Sequence, residues 1–329
     1  MTYLMVAGGL VLLLLGGDVL VRGAVALAQR FDVPPLVIGL IVVAFGTSAP
    51  ELVDSLGAAL KGLPEIAIGN VVGSNIANVL LVLGLPAMIS PIACNIPGIG
   101  REAAIMAAGS VLFMAMCYNG SLGPVEGGVL ALGLVAYLGW SYHQARKDNG
   151  AIAEALVDEL EGIAARPHSL WLVLLFILGG LCGLVLGSNL LVDGAVGVAR
   201  SAGVPESVIG LTLVALGTSM PELATSMVAA IRRHGDVALG NVIGSNLFNL
   251  LGIMGTTALV IRVPVPKDFL DFDLWVLLAT ALLTMPFVVG MNAIGRRAGG
   301  LLTLAYIAYV YTLFHGASAL SGSTGHIAF

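Results

Sequence analysis

The sequence predicts an all-α integral membrane protein of ten transmembrane helices, arranged as two inverted five-helix repeats. Of its 329 residues, 58% are hydrophobic and only 10% are charged, whereas soluble domains carry about a quarter charged residues. The chain also contains one segment twice: residues 33–84 and 204–255 align without a gap at an offset of 171 and match at 27 of 52 positions. A long internal duplication in apolar sequence is typical of membrane proteins built from structural repeats.

Ten apolar stretches approach the length of about 20 residues that a helix needs to cross a bilayer. They divide the chain into a first half, 1–142, with its repeat at about 33–84, and a second half, 169–329, with its repeat at about 204–255. A polar linker, 143–168, separates the halves. Because each half holds an odd number of spans, the second must enter the membrane from the opposite side. The predicted spans are roughly 3–21, 34–60, 66–90, 102–118, 122–142, 169–191, 204–230, 236–261, 273–291 and 299–317.

The distribution of basic residues predicts the orientation of these spans. Ten Lys and Arg residues lie in the loops after the odd-numbered spans and four in the loops after the even-numbered spans. Positive residues favour the cytoplasmic side of a membrane. We therefore expect a multi-pass protein of the plasma (inner) membrane with both termini on the non-cytoplasmic side. The N-terminus lacks a basic region, so the first apolar run is expected to be a membrane helix rather than a cleaved signal peptide.

The cytoplasmic linker is expected to be a solvated connector that lies on the membrane. Ile152, Leu156, Leu160 and Ile163 recur at helical spacing, which predicts a short amphipathic helix. A regulatory role for the linker is the alternative, but the segment is too short for a folded regulatory domain.

The motif GTSAPE in the second span combines a helix breaker with oxygen-bearing side chains. Pro50 has no N–H, so the helix should break or kink there and leave backbone carbonyls that need a partner in lipid. Thr47 and Ser48 add hydroxyl oxygens, and Glu51 adds a carboxylate one turn beyond the break. A glutamate inside the membrane is expensive, which favours a functional role. The seventh span repeats the arrangement with Thr218, Ser219, Pro221 and Glu222.

Two such breaks that meet near the middle of the bilayer would form an oxygen-rich pocket with two negative charges. Hard cations such as Na⁺ and Ca²⁺ take oxygen ligands of this kind. Interrupted hydrophobic segments at matching positions of two halves are also the best sequence pointer to a transporter binding site. The sequence thus predicts a cation site at the two breaks.

The third and eighth spans carry the motif GNxxGSNxxN, which places polar side chains in a stripe. Asn70, Ser74 and Asn78 are four residues apart and share one helix face, and the second copy repeats them as Asn241, Ser245 and Asn249. The glycines of the motif allow another helix to approach closely. A single GxxxG indicates packing, but its duplication beside the two glutamates indicates a site.

Asp54 lies three residues after Glu51, on a similar helix face, but the second repeat has Thr225 at that position. Two interpretations stay open: an auxiliary ligand or proton-binding group, and a residue of the hydrated access path. Asp18, near the end of the first span, is expected at the membrane interface.

Several function classes are excluded by what the sequence contains. It has no metalloprotease, serine-hydrolase or phosphate-loop motif, and its five histidines fall in loops or at span ends. The few, scattered basic residues argue against a nucleic-acid partner, and no obligate protein partner is evident.

The three cysteines lack metal-binding spacing and are expected to be small packing residues. They are Cys94, Cys117 and Cys182.

The pair of motifs, duplicated and inverted over ten spans, resembles the α-repeats of the sodium/calcium exchanger family, within the cation/calcium exchanger superfamily. The resemblance covers almost the whole chain. It implies a core of spans 2, 3, 7 and 8 around the ion site, across which spans 1 and 6 slide. It also implies a secondary antiporter with no cofactor, whose transported ions are Ca²⁺ and Na⁺.

Carried over to this sequence, the resemblance implies Glu51 and Glu222 as the principal carboxylate ligands for both ions. Hydroxyl or backbone oxygens of a second set would bind mainly Na⁺, and further Ser and Asn side chains would flank and complete the centre of the site. The second set is Thr47, Ser48, Thr218 and Ser219; Ser74 and Ser245 would flank the site, and Asn78 and Asn249 would complete its centre.

The residue at position 249 predicts independence from potassium. Potassium-dependent members of the family carry Asp there, as do some prokaryotic members, whereas this chain has Asn in both repeats and so resembles the potassium-independent members. The central charge is then about −2, from Glu51 and Glu222. Exchange of more than two Na⁺ for one Ca²⁺ would move net charge across the membrane, so its rate would respond to voltage.

Two alternative functions stay open. The closest is a proton-coupled cation exchanger, with Asp54 assisting, and the second is a cation channel.

Overall fold

The structure of the protein is a computed structural model that describes residues 2–31, 33–147, 169–201, 215–290 and 293–323. It is built almost entirely from helices. In the first half these are α1 (Thr2–Arg30), α2 (Pro35–Thr47), α3 (Ala49–Leu60), α4 (Pro64–Ile89), α5 (Ile99–Cys117) and α6 (Pro124–Lys147). In the second half they are α7 (Leu170–Ser201), α8 (Ala215–Thr218), α9 (Met220–Ile231), α10 (Gly235–Val260), α11 (Phe269–Gly290) and α12 (Arg296–Ser323).

The all-helical membrane architecture is confirmed. Within the described residues, seven helices are long and apolar enough to cross a bilayer, and α2 with α3 forms an eighth, bent span. The predicted seventh span corresponds to α8 and α9, and its part at 204–214 lies outside the described residues. The predicted tenth span corresponds to α12. Most of the predicted linker, 148–168, also lies outside them, while 143–147 continue α6 as helix.

The predicted helix breaks lie two residues before each proline. Ser48 has φ −89° and ψ 5°, and its counterpart Ser219 has φ −89° and ψ 6°. The axis bends by 43° between α2 and α3. Pro50 and Pro221 then occupy the first turns of α3 and α9, where the missing N–H costs nothing because it has no helical partner. The two breaks are therefore built alike, as a duplication requires.

The third helix of each repeat contains a stretch of π-helix where its asparagine stripe ends. The stretch runs over Asn78–Val82 in α4 and over Phe248–Ile253 in α10. Within α4, the amide N–H of Leu83 donates to the carbonyl oxygen of Asn78 across five residues. Such wide turns are rare and frequently lie at functional sites, and here they present Asn78 and Asn249 at matching points of the two repeats.

Two short antiparallel strand pairs connect the halves at opposite ends of the bundle. The strand β1 (Ile92–Ala93), which follows α4, pairs with β4 (Ala293–Ile294), which precedes α12. The strand β2 (Ser121–Leu122), which precedes α6, pairs with β3 (Val263–Pro264), which follows α10. Exchange of the two halves maps one strand pair onto the other, in agreement with the predicted inversion.

Close contacts between glycines join α1 and α7 into one antiparallel pair. A Cβ atom on Gly16 would lie 2.8 Å from the backbone nitrogen of Leu184, and one on Gly187 would lie 2.8 Å from that of Leu13. Small residues of this kind let two membrane helices pack backbone to backbone. The pair lies against the core that contains α10, whose membrane segment is buried throughout.

The cysteines differ from one another in their surroundings. Cys94 and Cys117 are buried, as expected for packing residues, whereas Cys182 on α7 is exposed. Burial raises the pKa of the Cys94 thiol to about 11, so this thiol stays protonated at neutral pH.

Arg233 is strained relative to its repeat counterpart. It follows α9 with a φ of +62°, whereas Gly62 takes the same place after α3 with a φ of +80°. A left-handed backbone costs a residue with a Cβ roughly 1 kcal/mol more than it costs glycine. We therefore expect Arg233→Gly to raise the free energy of unfolding by about 1 kcal/mol, measured as an increased Tm in detergent. Arg233→Gln removes the charge but keeps the strain; an equal gain from that control would contradict the backbone explanation.

Candidate functional site

The two intramembrane glutamates lie in the first turn of the helices that follow the breaks. Glu51 is the third residue of α3 and Glu222 the third residue of α9, and each residue is only 1% exposed. Ser48, three residues before Glu51, bonds to the Glu222 carboxylate, so the two glutamates lie at neighbouring breaks. Two buried carboxylates that share one site are costly unless a positive charge or protons accompany them.

Side chains at one break bond to the opposite repeat. The Ser48 hydroxyl donates to Oε1 of Glu222 at 2.8 Å, and the Thr47 hydroxyl donates to Oδ1 of Asn241 at 3.2 Å. Asn241 in turn donates its amide N–H to the Ser226 hydroxyl at 3.1 Å and to the Glu222 carbonyl oxygen at 3.3 Å. The break between α2 and α3 is thereby fixed against α9 and α10.

Buried polar atoms without a hydrogen-bond partner concentrate on the predicted site. Within the described part of the chain they include carboxylate oxygens of both glutamates and both polar atoms of the Asn249 side chain. Buried polar groups are costly unless they are paired. The unpaired atoms on site residues are Oε2 of Glu51, Oε2 of Glu222, Oδ1 of Asn78, Oγ of Ser219, Oγ of Ser245, and Oδ1 and Nδ2 of Asn249.

The two π-helical stretches bring these atoms together crosswise. The stretch that begins at Asn78 packs against α9, which carries Glu222, and the stretch that holds Asn249 packs against α3, which carries Glu51. Ser74 and Ser245 lie one turn earlier on the same stripes and are buried. The structure thus gathers the sequence-predicted polar residues of both repeats around the two breaks.

The donor set consists of two carboxylates with neutral hydroxyl and amide oxygens. Across the described residues, no three His, Cys, Asp or Glu side chains form a chelating group. Oxygen ligands suit hard cations, of which Ca²⁺ takes six to eight oxygens in flexible geometry. The donor set therefore fits a hard cation.

A cleft of about 270 Å³ reaches the breaks from one end of the bundle. It opens between α7 and the helices α3, α8 and α9. Thr218, which is half-buried, lines the inner part together with both prolines of the breaks, Pro50 and Pro221. Asp54, which is exposed, and Asp193 line the cleft as well. The structure therefore places Asp54 on the wall of a route to the site, while its repeat counterpart Thr225 is fully buried.

An ion-pair cluster lies at the end of α9 that is further from the cleft. The carboxylate of Asp18 on α1 accepts hydrogen bonds from the Arg232 guanidinium, at the end of α9. Arg22, one turn further along α1, pairs with the same carboxylate at 2.9 Å. Asp18 thus joins the helix pair to the core on the side away from the cleft.

Sequence reasoning missed the residues that support the site. Ser55 and Ser226 bond to the amides of Asn70 and Asn241 at 2.9 and 3.1 Å. Both serines lie four residues after a site glutamate and are identical in the two repeats. The presence of the same polar residue at equivalent positions of the two repeats could therefore have indicated these serines from the sequence.

A second duplicated feature lies further from the site. Tyr137 donates to a buried carboxylate oxygen of Glu102 at 3.0 Å, and Tyr309 donates to Asp273 at 2.8 Å. The two acids are again 171 residues apart. Asp273 lies within the first turns of α11, and its bond to Tyr309 joins α11 to α12. These pairs join peripheral helices within each half.

Comparison with known proteins agrees with the geometry. The family model described as sodium/calcium exchanger protein matches residues 1–143 and 171–315. The putative antiporter CaxA of Alkalimonas amylolytica is 37% identical over 93% of this chain and 96% of its own length. The sodium/calcium exchanger MaX1 of Methanosarcina acetivorans is 34% identical over 95% and 98%.

Solved structures of the sodium-calcium exchanger NCX_Mj have a similar fold. One, obtained with zero Na⁺ and Ca²⁺, superposes with a TM-score of 0.82 at 33% identity, over 95% of this chain and 98% of the other. Another, obtained with 2.5 mM Na⁺ and 0.1 mM Ca²⁺, gives a TM-score of 0.81 at the same identity and coverage.

Proposed function

The chain belongs to the sodium/calcium exchanger family, and on that premise we propose that it is an antiporter that exchanges Na⁺ for Ca²⁺ by alternating access. One observation carries the proposal: two repeat-related glutamates, each 1% exposed at a helix break, lie among buried oxygens that have no protein partner. A bound cation would be the partner that these oxygens lack.

The same carboxylates explain why the two ions exchange. Glu51 and Glu222 cannot remain ionised and unpaired in a site of low dielectric constant, so the protein without bound cations resists the conformational change. Ca²⁺ or several Na⁺ neutralise the pair and permit it. Because both ions need the same oxygens, they bind alternately, and this competition couples their movements.

We assign the ligands as the sequence predicted. Glu51 and Glu222 bind both ions, with Thr47, Ser48, Thr218 and Ser219 supplying oxygens mainly to Na⁺. Ser74 and Ser245 flank the centre, and Asn78 and Asn249 complete it. Asp54 belongs to the access route in this proposal, because it is exposed on the cleft wall.

The cleft and the Asp18 cluster represent the open and closed ends of one conformation. Rocking of one helix bundle against the other around a fixed site is the usual route of alternating access in inverted repeats. The α1–α7 pair, joined through its glycines, is the element that moves in this proposal. Separation of Asp18 from Arg232 would then accompany closure of the cleft.

Orientation, boundaries and location are proposed from the charge distribution. With the basic loops inside, both termini lie outside the cytoplasm of a plasma membrane, and the cleft opens to the outside. The two halves meet at a cytoplasmic linker of about 143–168, and the gap in the family match at 144–170 supports this division.

Radioactive calcium uptake into proteoliposomes tests the exchange. Vesicles loaded with Na⁺ and diluted into sodium-free buffer should take up calcium, and vesicles loaded with choline should not. Equal uptake from both would contradict sodium coupling. In that case an imposed pH gradient would distinguish proton exchange, which responds to it, from a channel, which does not. A membrane potential should change the sodium-driven rate if the exchange is electrogenic.

Potassium independence is attributed to Asn249. Both polar atoms of its side chain are unpaired and buried, so Asn249→Asp would add a negative charge to the centre of the site. We expect this variant to change the cation preference, so that K⁺ changes its calcium uptake rate roughly severalfold. Uptake at matched ionic strength with K⁺ or choline measures this. An ion dependence identical to that of the wild type would show that position 249 does not decide it.

A further inference from the structure

Asn246 on α10 makes a contact across the repeats that has no equivalent on the other side. It is 2% exposed, and its Oδ1 accepts a hydrogen bond from Nδ2 of Asn78 at 3.0 Å. Asn78 belongs to the proposed ligands, whereas Asn246 lies beside the polar stripe of its own helix. The contact therefore links a residue outside the site to one inside it.

The surroundings of Asn246 determine which way both amides face. The Asn246 Nδ2 atom lies 3.4 Å from the carbonyl oxygen of Asn75 and 3.5 Å from the sulfur of Met106. Both are acceptors only, so the amide nitrogen must face them and Oδ1 must face Asn78. The Asn78 amide therefore points its nitrogen at Asn246. As a result, Oδ1 of Asn78 faces away from Asn246.

The Oδ1 atom of Asn78 is buried and has no hydrogen-bond partner in the described structure. It is held there by an amide that cannot turn over without losing its bond to Asn246. A cation requires an oxygen at this position, because the amide N–H₂ group would repel it. The direction of one amide thus decides whether Asn78 is a ligand.

The repeat counterparts lack this arrangement. Asn75, which corresponds to Asn246, donates its N–H to the Val71 carbonyl oxygen of its own helix at 2.6 Å, and its Oδ1 is unpaired. Asn249, which corresponds to Asn78, has both polar atoms unpaired. Its amide is not held in either direction by the residues described, so the two halves of the site differ.

We infer that Asn246 is a positioning residue that holds the Asn78 amide with its oxygen toward the transported cation. The inference rests on the proposed function and adds a residue that need not touch the ion. Loss of Asn246 frees the Asn78 amide to rotate, so Oδ1 of Asn78 no longer faces the site before the cation binds. Calcium affinity should fall, while the maximal exchange rate is retained because the moving helices are unaltered.

Sodium-driven calcium uptake in proteoliposomes, measured as a function of external Ca²⁺, tests this role. Asn246→Ala should raise the half-saturating Ca²⁺ concentration about tenfold, the effect of one oriented hydrogen bond, with the maximal rate largely unchanged. Asn75→Ala is the matched control: it removes the counterpart side chain but keeps the backbone carbonyl that Asn246 contacts, and it should leave the affinity unchanged. Should Asn246→Ala not fold, Asn246→Leu preserves the volume and should give the same shift.

A double variant separates positioning from general disturbance. Asn78→Asp presents an oxygen in either direction, so addition of Asn246→Ala in that background should cause little further loss of affinity. Unaltered affinity in Asn246→Ala, or an equal loss with and without Asn78→Asp, would overturn the inference while leaving exchange intact. A wild-type protein without sodium-dependent uptake would overturn the proposed function and this inference with it.

Discussion

Replacement of Glu51 or Glu222 by glutamine is expected to lower sodium-driven calcium uptake by about a hundredfold or more, while the protein still folds. Each carboxylate is buried at a helix break and has an unpaired oxygen. Glutamine preserves the shape but removes the charge that offsets desolvation of the cation. Initial uptake rates at saturating Ca²⁺, with size-exclusion profiles for folding, measure the effect.

Glu65→Gln is the matched control for this prediction. Glu65 is exposed in the first turn of α4 and stands outside the site, so its replacement should leave uptake near the wild-type rate. Full calcium exchange by either site variant would remove the assignment of Glu51 and Glu222 as ligands. An equal loss in all three variants would indicate a non-specific effect of charge.

Gly244→Ala is expected to destabilise the fold by about 2–3 kcal/mol and to abolish most of the exchange. A Cβ atom at this position would lie 2.3 Å from the Leu40 carbonyl oxygen and 2.7 Å from the Ala44 Cβ atom. The helix α2 would have to move, and it carries Thr47, which bonds to Asn241 at 3.2 Å. The change therefore acts on stability and on the site together.

Thermal unfolding in detergent and uptake rates measure these two effects. Gly57→Ala in α3 serves as the control, because a Cβ atom there meets nothing within 4 Å beyond its chain neighbours and its own helix backbone, and alanine favours helix more than glycine does. That variant should be as stable as the wild type or slightly more so. Wild-type stability and uptake in Gly244→Ala would show that the close approach of α2 and α10 is not required.

The sequence contained enough to predict the positions of the breaks and the identity of the central polar residues. Pro50 and Pro221 interrupt helices through chemistry that is local to the chain, and the duplication indicated that Glu51 and Glu222 belong to one site. The asparagine stripes also followed from helical spacing alone. What these features have in common is that they depend on neighbours within about one or two helical turns.

Contacts between distant helices could not be predicted in the same way. Helical spacing shows that Asn78 lies on a polar face, but not that Asn246 lies opposite it at 3.0 Å. Nor does it show that Arg232 at the end of α9 reaches Asp18 on α1. These pairings depend on how each helix is rotated and packed against its neighbours. Close glycine contacts, such as that of Gly244 with α2, contribute to that packing throughout the bundle.

The repeats also differ in ways that the duplication concealed. Ser48 donates to Glu222 at 2.8 Å, while the hydroxyl of its counterpart Ser219 is unpaired. Asp54 is exposed in the cleft and Thr225 is buried. A single conformation of an alternating-access protein is open at one end only, so equivalent residues occupy different environments in it.

Competition between the two ions for one site is the central claim, and calcium binding to the purified protein tests it most directly. Radioactive calcium bound at equilibrium should fall to background as Na⁺ increases, with a Hill coefficient above one because several Na⁺ replace one Ca²⁺. K⁺ at the same concentration should displace little, and Glu51→Gln and Glu222→Gln should bind almost none. Calcium binding that persists at saturating Na⁺, or that survives in both variants, would contradict a shared site at the two breaks.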